Sequence, residues 1–254
     1  SDKKRTETTE RAHGDGILVD SDSPEALEEV FWKTFHASNY IGEKEMTPHS
    51  PCPSTLDKFE KYQRLVCHRY GRDRYLSKNN NNILRIQPLA ACFPNALFLV
   101  MFRDPVTQAQ SLLKQHQRFL GSPRFVRDYM AWLAHFEFGD NHRPFSFSHD
   151  FSPHGSSDSV GYWLSIWHEV YRHMLSIIRN GEYTNVRLVC YEALCRHPRY
   201  WERVCEVGGI ASSGPVFRQA AQPEATGIDD TILNNAYAVY DEMVSLDHFD
   251  TKTL

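Results

Sequence analysis

The feature that most constrains this fold is a continuous apolar run, Ala96 to Phe102, bounded by turn residues. Such a run is typical of a short strand buried on both faces in a parallel sheet that helices cover. A second apolar run, over residues 185–190, has the same character. Helical patterns separate and flank the two runs. This alternation predicts one open α/β domain over residues 1–254.

Apolar residues at helical spacing predict the helices of this domain. We expect helices over residues 24–37, 56–70, 82–92, 105–119, 125–137, 160–179, 192–196, 198–207 and 230–245, a short strand over 75–78, and loops over 42–54 and 140–159. Leu27 and Phe35 are expected on the buried face of the first helix, and Leu65 on that of the second. Ser23, Pro24 and Glu25 form a helix start signal, and Asp104 is placed to cap the helix after the first apolar run.

Composition excludes several classes of protein. With 41% hydrophobic residues the chain can bury a core, and the net charge of −4 gives no basic field for nucleic acid. No apolar run approaches the roughly 20 residues that span a bilayer, and the polar N-terminus lacks a signal-peptide core. We therefore expect a soluble, cytoplasmic chain without nucleic-acid partners, with a Golgi-type lumen as the alternative. The sequence does not indicate an oligomeric state.

The cysteines and histidines indicate neither a disulfide framework nor a metal site. The six cysteines form no C-x-x-C pair, and their apolar neighbours favour buried, reduced thiols over disulfides. His168, Glu169 and His173 come near the zinc-binding H-E-x-x-H pattern, but the two histidines stand five positions apart. That spacing turns them about 140° from each other around a helix, so they do not share a face.

Polar residues follow both apolar runs, where an open α/β sheet binds its ligands. Arg103 follows the first run, Ser111 lies on the next helix, and Tyr191 and Glu192 follow the second run. A helix N-terminus offers N–H groups to an anion, and an arginine adds a two-pronged donor for phosphate. Arg103 and Ser111 could therefore hold one phosphate from two sides. The alternative is a capped turn with Arg103 in a surface ion pair.

The segment from Arg103-Asp104-Pro105 to Ser111 resembles the R-x-P-x₅-S element of sulfotransferases that use 3′-phosphoadenosine-5′-phosphosulfate. The resemblance implies that Arg103 and Ser111 hold the 3′-phosphate of this donor. Leu188 to Leu194, followed by His197-Pro198, is similar to the family's YE-x-L…P segment, which implies that Tyr191 lies against the adenine. Lys78-Asn79-Asn80 stands where relatives have a K-x-P-like element. The lysine of that element contacts the transferring sulfuryl group, and Lys78 matches it although the proline is missing.

The resemblance covers nearly the whole chain and implies a P-loop-NTPase-like open parallel sheet flanked by helices. Further segments resemble largely bacterial sulfotransferase-like proteins: His13–Gly16, Ser23–Trp32, His135–Gly139 and His142–Phe145. The family's P-R-[ST]-G-T-[ST]-like loop, which cradles the 5′-phosphosulfate, has no counterpart in the sequence. We expect the first strand and this phosphate loop to precede residue 1, or another chain to supply the loop.

Sulfuryl transfer needs positioned cations at the leaving phosphate and a general base at the acceptor. Lys78 is the candidate cation, while His116, His135 and Glu137 are candidates for the base that is a histidine or glutamate in relatives. Arg143 is a candidate contact for an anionic acceptor such as a glycan. A structural role is the alternative for each. The expected function is metal-independent transfer to a hydroxyl or amine, with a carbohydrate as one acceptor class. The alternatives are a non-catalytic binding module and a P-loop kinase-type nucleotide enzyme.

Overall fold

The computed structural model describes residues 9–10, 18–19, 27–212, 214, 217–219 and 227–249. The chain divides into two compact units, the first formed by Ser1–Arg85 with Gln115–Arg143 and the second by Ile86–Lys114 with Pro144–Leu254. The predicted start signal of Ser23, Pro24 and Glu25 lies outside the described residues. None of the described helices is long and apolar enough to cross a lipid bilayer.

Helices dominate the described residues. In chain order the elements are β1 (Thr9–Glu10), β2 (Leu18–Val19), α1 (Glu28–Tyr40), α2 (Pro53–Tyr70), a 3₁₀ helix (Asn80–Arg85), α3 (Ile86–Cys92), β3 (Phe98–Phe102), α4 (Pro105–Leu120), α5 (Arg124–Trp132), α6 (Val160–Arg179), β4 (Val186–Cys190), α7 (Tyr191–Arg196), α8 (Pro198–Gly208) and α9 (Asp230–Ser245). The strands β1 and β2 pair antiparallel. Residues 140–159 form the predicted long loop.

Local capping explains why several helix boundaries were predictable. α6 and α9 begin and end where the sequence predicts. The Ser159 hydroxyl accepts a hydrogen bond from the Tyr162 N–H, and the Asp229 carboxylate accepts from the first turn of α9. The Asp104 carboxylate caps α4 by accepting from the Thr107 N–H at 2.8 Å, as predicted. Each cap supplies an acceptor for N–H groups that a helix leaves without partners.

The parallel pairing of the two apolar runs is confirmed. β3 and β4 lie side by side in register from Phe98 opposite Val186 to Phe102 opposite Cys190. The prediction that the first run is buried on both faces is wrong, because Leu99 is 40% and Met101 45% exposed. Alternate residues of a strand point to opposite faces, and the face that carries these two stays half open. In the described ranges this parallel sheet has two strands.

Three further expectations are wrong. Residues 75–78 form no strand, and the segment is attached instead by a side chain, since the Tyr75 hydroxyl donates to the Glu28 carboxylate. The helix predicted over 125–137 ends at Trp132, since Ala134 adopts a φ of 60° that no right-handed helix continues. Leu27, Phe35 and Leu65 are exposed, whereas α1 buries Glu28 and Glu29.

The prediction that the cysteines are reduced is confirmed, whereas the prediction that they are buried holds for some of them only. All six cysteines lie among the described residues and are free thiols. Cys190 and Cys205 are buried, whereas Cys52 and Cys92 are exposed.

Candidate functional site

In the second unit, hydrogen bonds join the carboxyl ends of the two parallel strands. The Asp104 N–H donates to Glu192 Oε1 at 3.0 Å, which ties the end of β3 to the first turn of α7. Two tyrosines of α9 complete the network. The Tyr237 hydroxyl donates to Asp104 Oδ2 at 3.0 Å, and the Tyr240 hydroxyl to Glu192 Oε2 at 3.2 Å. This network holds the backbone directly after Arg103.

The tyrosine hydroxyls of this network remain protonated donors near neutral pH. Burial and the charge of Asp104 raise the pKa of Tyr237 to about 12. Burial, followed by the neighbouring Cys190 and Glu192, raises the pKa of Tyr240 as well. A protonated hydroxyl donates to a carboxylate, whereas a phenolate would repel it, so the shifts keep the network intact.

Arg103 and Tyr191 lie together at these strand ends. The guanidinium carbon of Arg103 lies 5.1 Å from the centroid of the Tyr191 ring, within the range of a cation–π contact. The Tyr191 hydroxyl donates to the Arg218 carbonyl at 3.0 Å. Across the described ranges no carboxylate forms an ion pair with Arg103, so the predicted surface ion pair is not observed there. Ser111 belongs to the same unit and is exposed on α4.

In the first unit, an ion pair that sequence reasoning missed lies in the core. Glu29 and Arg85 are each 1% exposed, and their side chains form two hydrogen bonds of 2.9 and 3.0 Å. The guanidinium also packs over the rings of Trp32 and Tyr40. The sequence carries one local signal of this buried pair: Glu28 and Glu29 precede Trp32 in a helix whose apolar spacing predicts burial.

His49 completes this cluster as a neutral acceptor. Arg85 Nε donates to His49 Nε2 at 3.0 Å. Burial and the charge of Arg85 lower the pKa of His49 to about 3, so the ring stays neutral at physiological pH. A neutral His49 can accept from the guanidinium, which a protonated ring could not do.

The four asparagines that follow Lys78 attach this segment to other parts of the first unit. Asn79 donates to Glu29 at 2.7 Å, and Asn82 to Glu28 at 2.8 Å. Asn81 donates to the Ala134 carbonyl at 3.2 Å, and Asn80 to Glu137 at 3.4 Å. The tract is therefore an anchored segment rather than a solvated turn, and it fixes the backbone beside Lys78.

His135 and Glu137 form a pair next to this anchored segment. His135 Nδ1 lies 3.4 Å from Glu137 Oε1, and the left-handed Ala134 directly precedes the pair. Burial opposes charge on His135, but the carboxylates of Glu137 and Glu29 together outweigh it and raise the pKa of His135. Burial likewise opposes charge on Glu137, yet His135 and Asn80 lower its pKa to about 2. The charge of Lys78 lowers the pKa of His135, whereas Glu137 raises it. Lys78 therefore lies within electrostatic reach of the pair.

His116 and Arg143 lie around the same 133–143 segment. His116 is buried, and its Nδ1 accepts from the Gly139 N–H at 3.2 Å. The guanidinium of Arg143 lies 4.2 Å from the centroid of the Phe136 ring, and the backbone N–H of Arg143 donates to the Phe136 carbonyl. His116 therefore stabilises the segment that carries the His135–Glu137 pair.

A cavity of about 270 Å³ lies beside Lys78 in the first unit. Its lining includes Arg72, Arg74, Ser77 and Lys78, with apolar surface from Val66 and Leu76 and ring surface from Tyr70 and Tyr75. Elsewhere in the described ranges, no group of three or more His, Cys, Asp or Glu side chains is arranged to hold a metal ion.

Comparison with known proteins places the chain in one family. A family model described as the sulfotransferase family matches residues 21–212, about three quarters of the 254 residues. The matched range contains Lys78, Arg103, Ser111, His135 and Tyr191. Searches of curated proteins and of solved structures give no match.

Proposed function

This chain belongs to the sulfotransferase family, and we propose that it transfers a sulfuryl group from 3′-phosphoadenosine-5′-phosphosulfate to a hydroxyl or amine. The observation that carries the proposal is the position of Arg103. It follows β3, packs on Tyr191 at the end of the neighbouring β4, and pairs with no carboxylate in the described ranges. A guanidinium held at strand ends in this way suits a ligand phosphate.

In the second unit, we assign donor binding to three residues. The guanidinium of Arg103 would hold the 3′-phosphate through two parallel N–H donors, and the Ser111 hydroxyl would donate to the same group. The Tyr191 ring would lie against the adenine. The Asp104–Glu192 network supports this arrangement, because it fixes the strand ends before any ligand binds and so reduces the ordering cost of binding.

In the first unit, we assign the catalytic groups to the anchored segment and the pair beside it. Lys78 supplies the cation that stabilises charge on the leaving phosphate oxygen as the sulfur–oxygen bond breaks. His135 accepts the proton of the acceptor hydroxyl or amine, and Glu137 orients the ring and raises its basicity. The products are the sulfated acceptor, adenosine 3′,5′-bisphosphate and a proton. His116 is the weaker candidate base, since its Nδ1 already accepts a backbone hydrogen bond.

Arg143 indicates the class of the acceptor. Its guanidinium is held against Phe136 one residue after His135, so it can contact an anionic group near the proposed base. We therefore expect a carbohydrate acceptor that carries negative charge.

A turnover assay tests this proposal. The full-length protein is incubated with the donor and a panel of sugar, phenol and amine acceptors, and release of adenosine 3′,5′-bisphosphate is measured. Lys78→Ala should lower kcat by about 10²-fold or more, since a preorganised charge is removed from the transition state. Lys61→Ala, which removes an exposed lysine of α2, should leave kcat unchanged.

Two results would contradict the proposal. If the bisphosphate binds but no acceptor is sulfated, the protein is a binding module rather than an enzyme. If Lys78→Ala and Lys61→Ala turn over at the same rate, Lys78 has no catalytic role.

A further inference from the structure

Gln108 lies between Arg103 and Ser111, yet neither family membership nor the proposed donor contacts assign it a role. In the R-x-P-x₅-S pattern, position 108 is one of the five unspecified residues. Gln108 belongs to the second unit and stands in α4 three positions before Ser111, which is about one helical turn. Contacts that fix Gln108 against its neighbours therefore also fix where Ser111 lies relative to β3.

The side chain of Gln108 links α6 to β3 through a series of hydrogen bonds. The Trp167 Nε1–H donates to Gln108 Oε1 at 3.1 Å. Gln108 Nε2 donates to the Tyr171 hydroxyl at 3.3 Å, and that hydroxyl donates to the Met101 carbonyl at 2.8 Å. An indole nitrogen can only donate, so its contact fixes which end of the Gln108 amide is the oxygen. The series ends on β3, two positions before Arg103.

The partners of Gln108 are buried, which makes this arrangement specific. Trp167 is 1% and Tyr171 8% exposed, and their ring centroids lie 4.5 Å apart. Burial raises the pKa of Tyr171 to about 12, so its hydroxyl stays protonated at neutral pH and can donate to the Met101 carbonyl. Both ends of the Gln108 amide have partners, which offsets the cost of removing the amide from water. An apolar side chain could fill the same space, but it would not fix one position of α4 as directional hydrogen bonds do.

We propose that Gln108 is a positioning residue for the donor, which holds α4 so that the Ser111 hydroxyl reaches the 3′-phosphate bound by Arg103. This role rests on the proposed function, because the ligand is the same nucleotide. Gln108 touches no atom of the nucleotide and acts through Ser111. A hydrogen bond weakens steeply as its distance and angle leave the preferred range, so a small shift of α4 is enough to lose the Ser111 contact.

Calorimetry of the full-length protein with adenosine 3′,5′-bisphosphate and with 5′-AMP tests this role, because only the first ligand carries the 3′-phosphate. Gln108→Met keeps the length of the side chain but removes both hydrogen bonds. We expect it to reduce the preference for the bisphosphate about tenfold, the effect of roughly one hydrogen bond to a charged group, and to leave the affinity for 5′-AMP unchanged. Tyr171→Phe, which removes the donor to the Met101 carbonyl, should reduce the preference by less. The control is Gln117→Met, which changes an exposed glutamine further along α4.

A double variant shows whether Gln108 acts through Ser111. Gln108→Met/Ser111→Ala should have the same preference as Ser111→Ala alone, because no hydroxyl is left to position. A further loss in the double variant would overturn the proposal.

Three other outcomes are decisive. An unchanged preference in Gln108→Met, beside a wild type that prefers the bisphosphate, would overturn the role of Gln108 and leave the proposed function intact. Equal losses of affinity for both nucleotides would also overturn it, since Gln108 would then only support the fold of the unit. A wild type with no preference for the bisphosphate would contradict both the role of Gln108 and the proposed function.

Discussion

Two buried carboxylates, Glu29 in the first unit and Asp104 in the second, are compensated in different ways. The first unit buries an ion pair, Glu29 with Arg85, in which both charges are removed from water together. The second unit buries the Asp104 carboxylate, whose bonded partners are the Tyr237 hydroxyl and the Thr107 N–H, both neutral donors. Removing one partner of a buried ion pair leaves the other charge buried without compensation. Removing one of several neutral donors costs a carboxylate a single hydrogen bond.

The largest expected effect is on the buried ion pair. Arg85→Met leaves the Glu29 carboxylate buried without its counter-charge, so we expect the free energy of unfolding to fall by about 3–5 kcal/mol. The measurement is urea unfolding followed by hydrogen exchange, which assigns the loss to the first unit. The double variant Glu29→Gln/Arg85→Met should lose less than the single one. A loss below about 1 kcal/mol in the single variant would show that the pair contributes little.

A smaller effect is expected in the second unit. Tyr237→Phe and Tyr240→Phe each remove one neutral donor, and each should lower the free energy of unfolding by about 1 kcal/mol. Tyr129→Phe is the matched control, since this ring is 45% exposed on α5. If either network variant costs as much as Arg85→Met, the contrast between the buried ion pair and the network of neutral donors is wrong.

The third expected effect is on the pH dependence of turnover, at the His135–Glu137 pair. A base must be deprotonated, so kcat/KM should rise as the pH increases through the pKa of His135, which lies above the ordinary value of 6.5. Glu137→Gln removes the charge that raises this pKa, so the inflection should move to lower pH. The pH profile of kcat/KM measures this shift.

Two outcomes at this pair would contradict the assignment. If the inflection does not move in Glu137→Gln, the Glu137 carboxylate does not raise the pKa of the base. A profile that is flat through the neutral range would exclude His135 as the base, because its deprotonation would then not control the rate.

Local signals explain which parts of the fold were predictable. The ends of α6 and α9 follow from the caps Ser159 and Asp229, which act within the first turn of each helix. The parallel strands follow from two apolar runs. The Glu29–Arg85 pair could not be predicted, because its partners stand 56 positions apart and charged residues usually predict an exposed face.

The candidate site also contains residues that the sequence identifies and contacts that depend on the folded structure. Arg103 and Tyr191 were identified by resemblance to family motifs, and the structure places them in contact. The asparagine amides after Lys78 bond to carboxylates and a carbonyl that are 50 or more positions away in sequence, which no local pattern indicates. Such contacts depend on how the unit packs. The cavity beside Lys78 also depends on packing, since it requires the left-handed turn at Gly71 as well as Arg72 and Arg74.

The central claim is that Arg103 recognises the 3′-phosphate of the donor nucleotide. Calorimetry with adenosine 3′,5′-bisphosphate and with 5′-AMP, which lacks that phosphate, tests it on the wild type, Arg103→Ala, Arg103→Lys and the exposed control Arg199→Ala. We predict that the wild type and Arg199→Ala prefer the bisphosphate by about 10²-fold, that Arg103→Ala loses this preference, and that Arg103→Lys retains part of it. An Arg103→Ala variant that still prefers the bisphosphate to the same degree would contradict the claim.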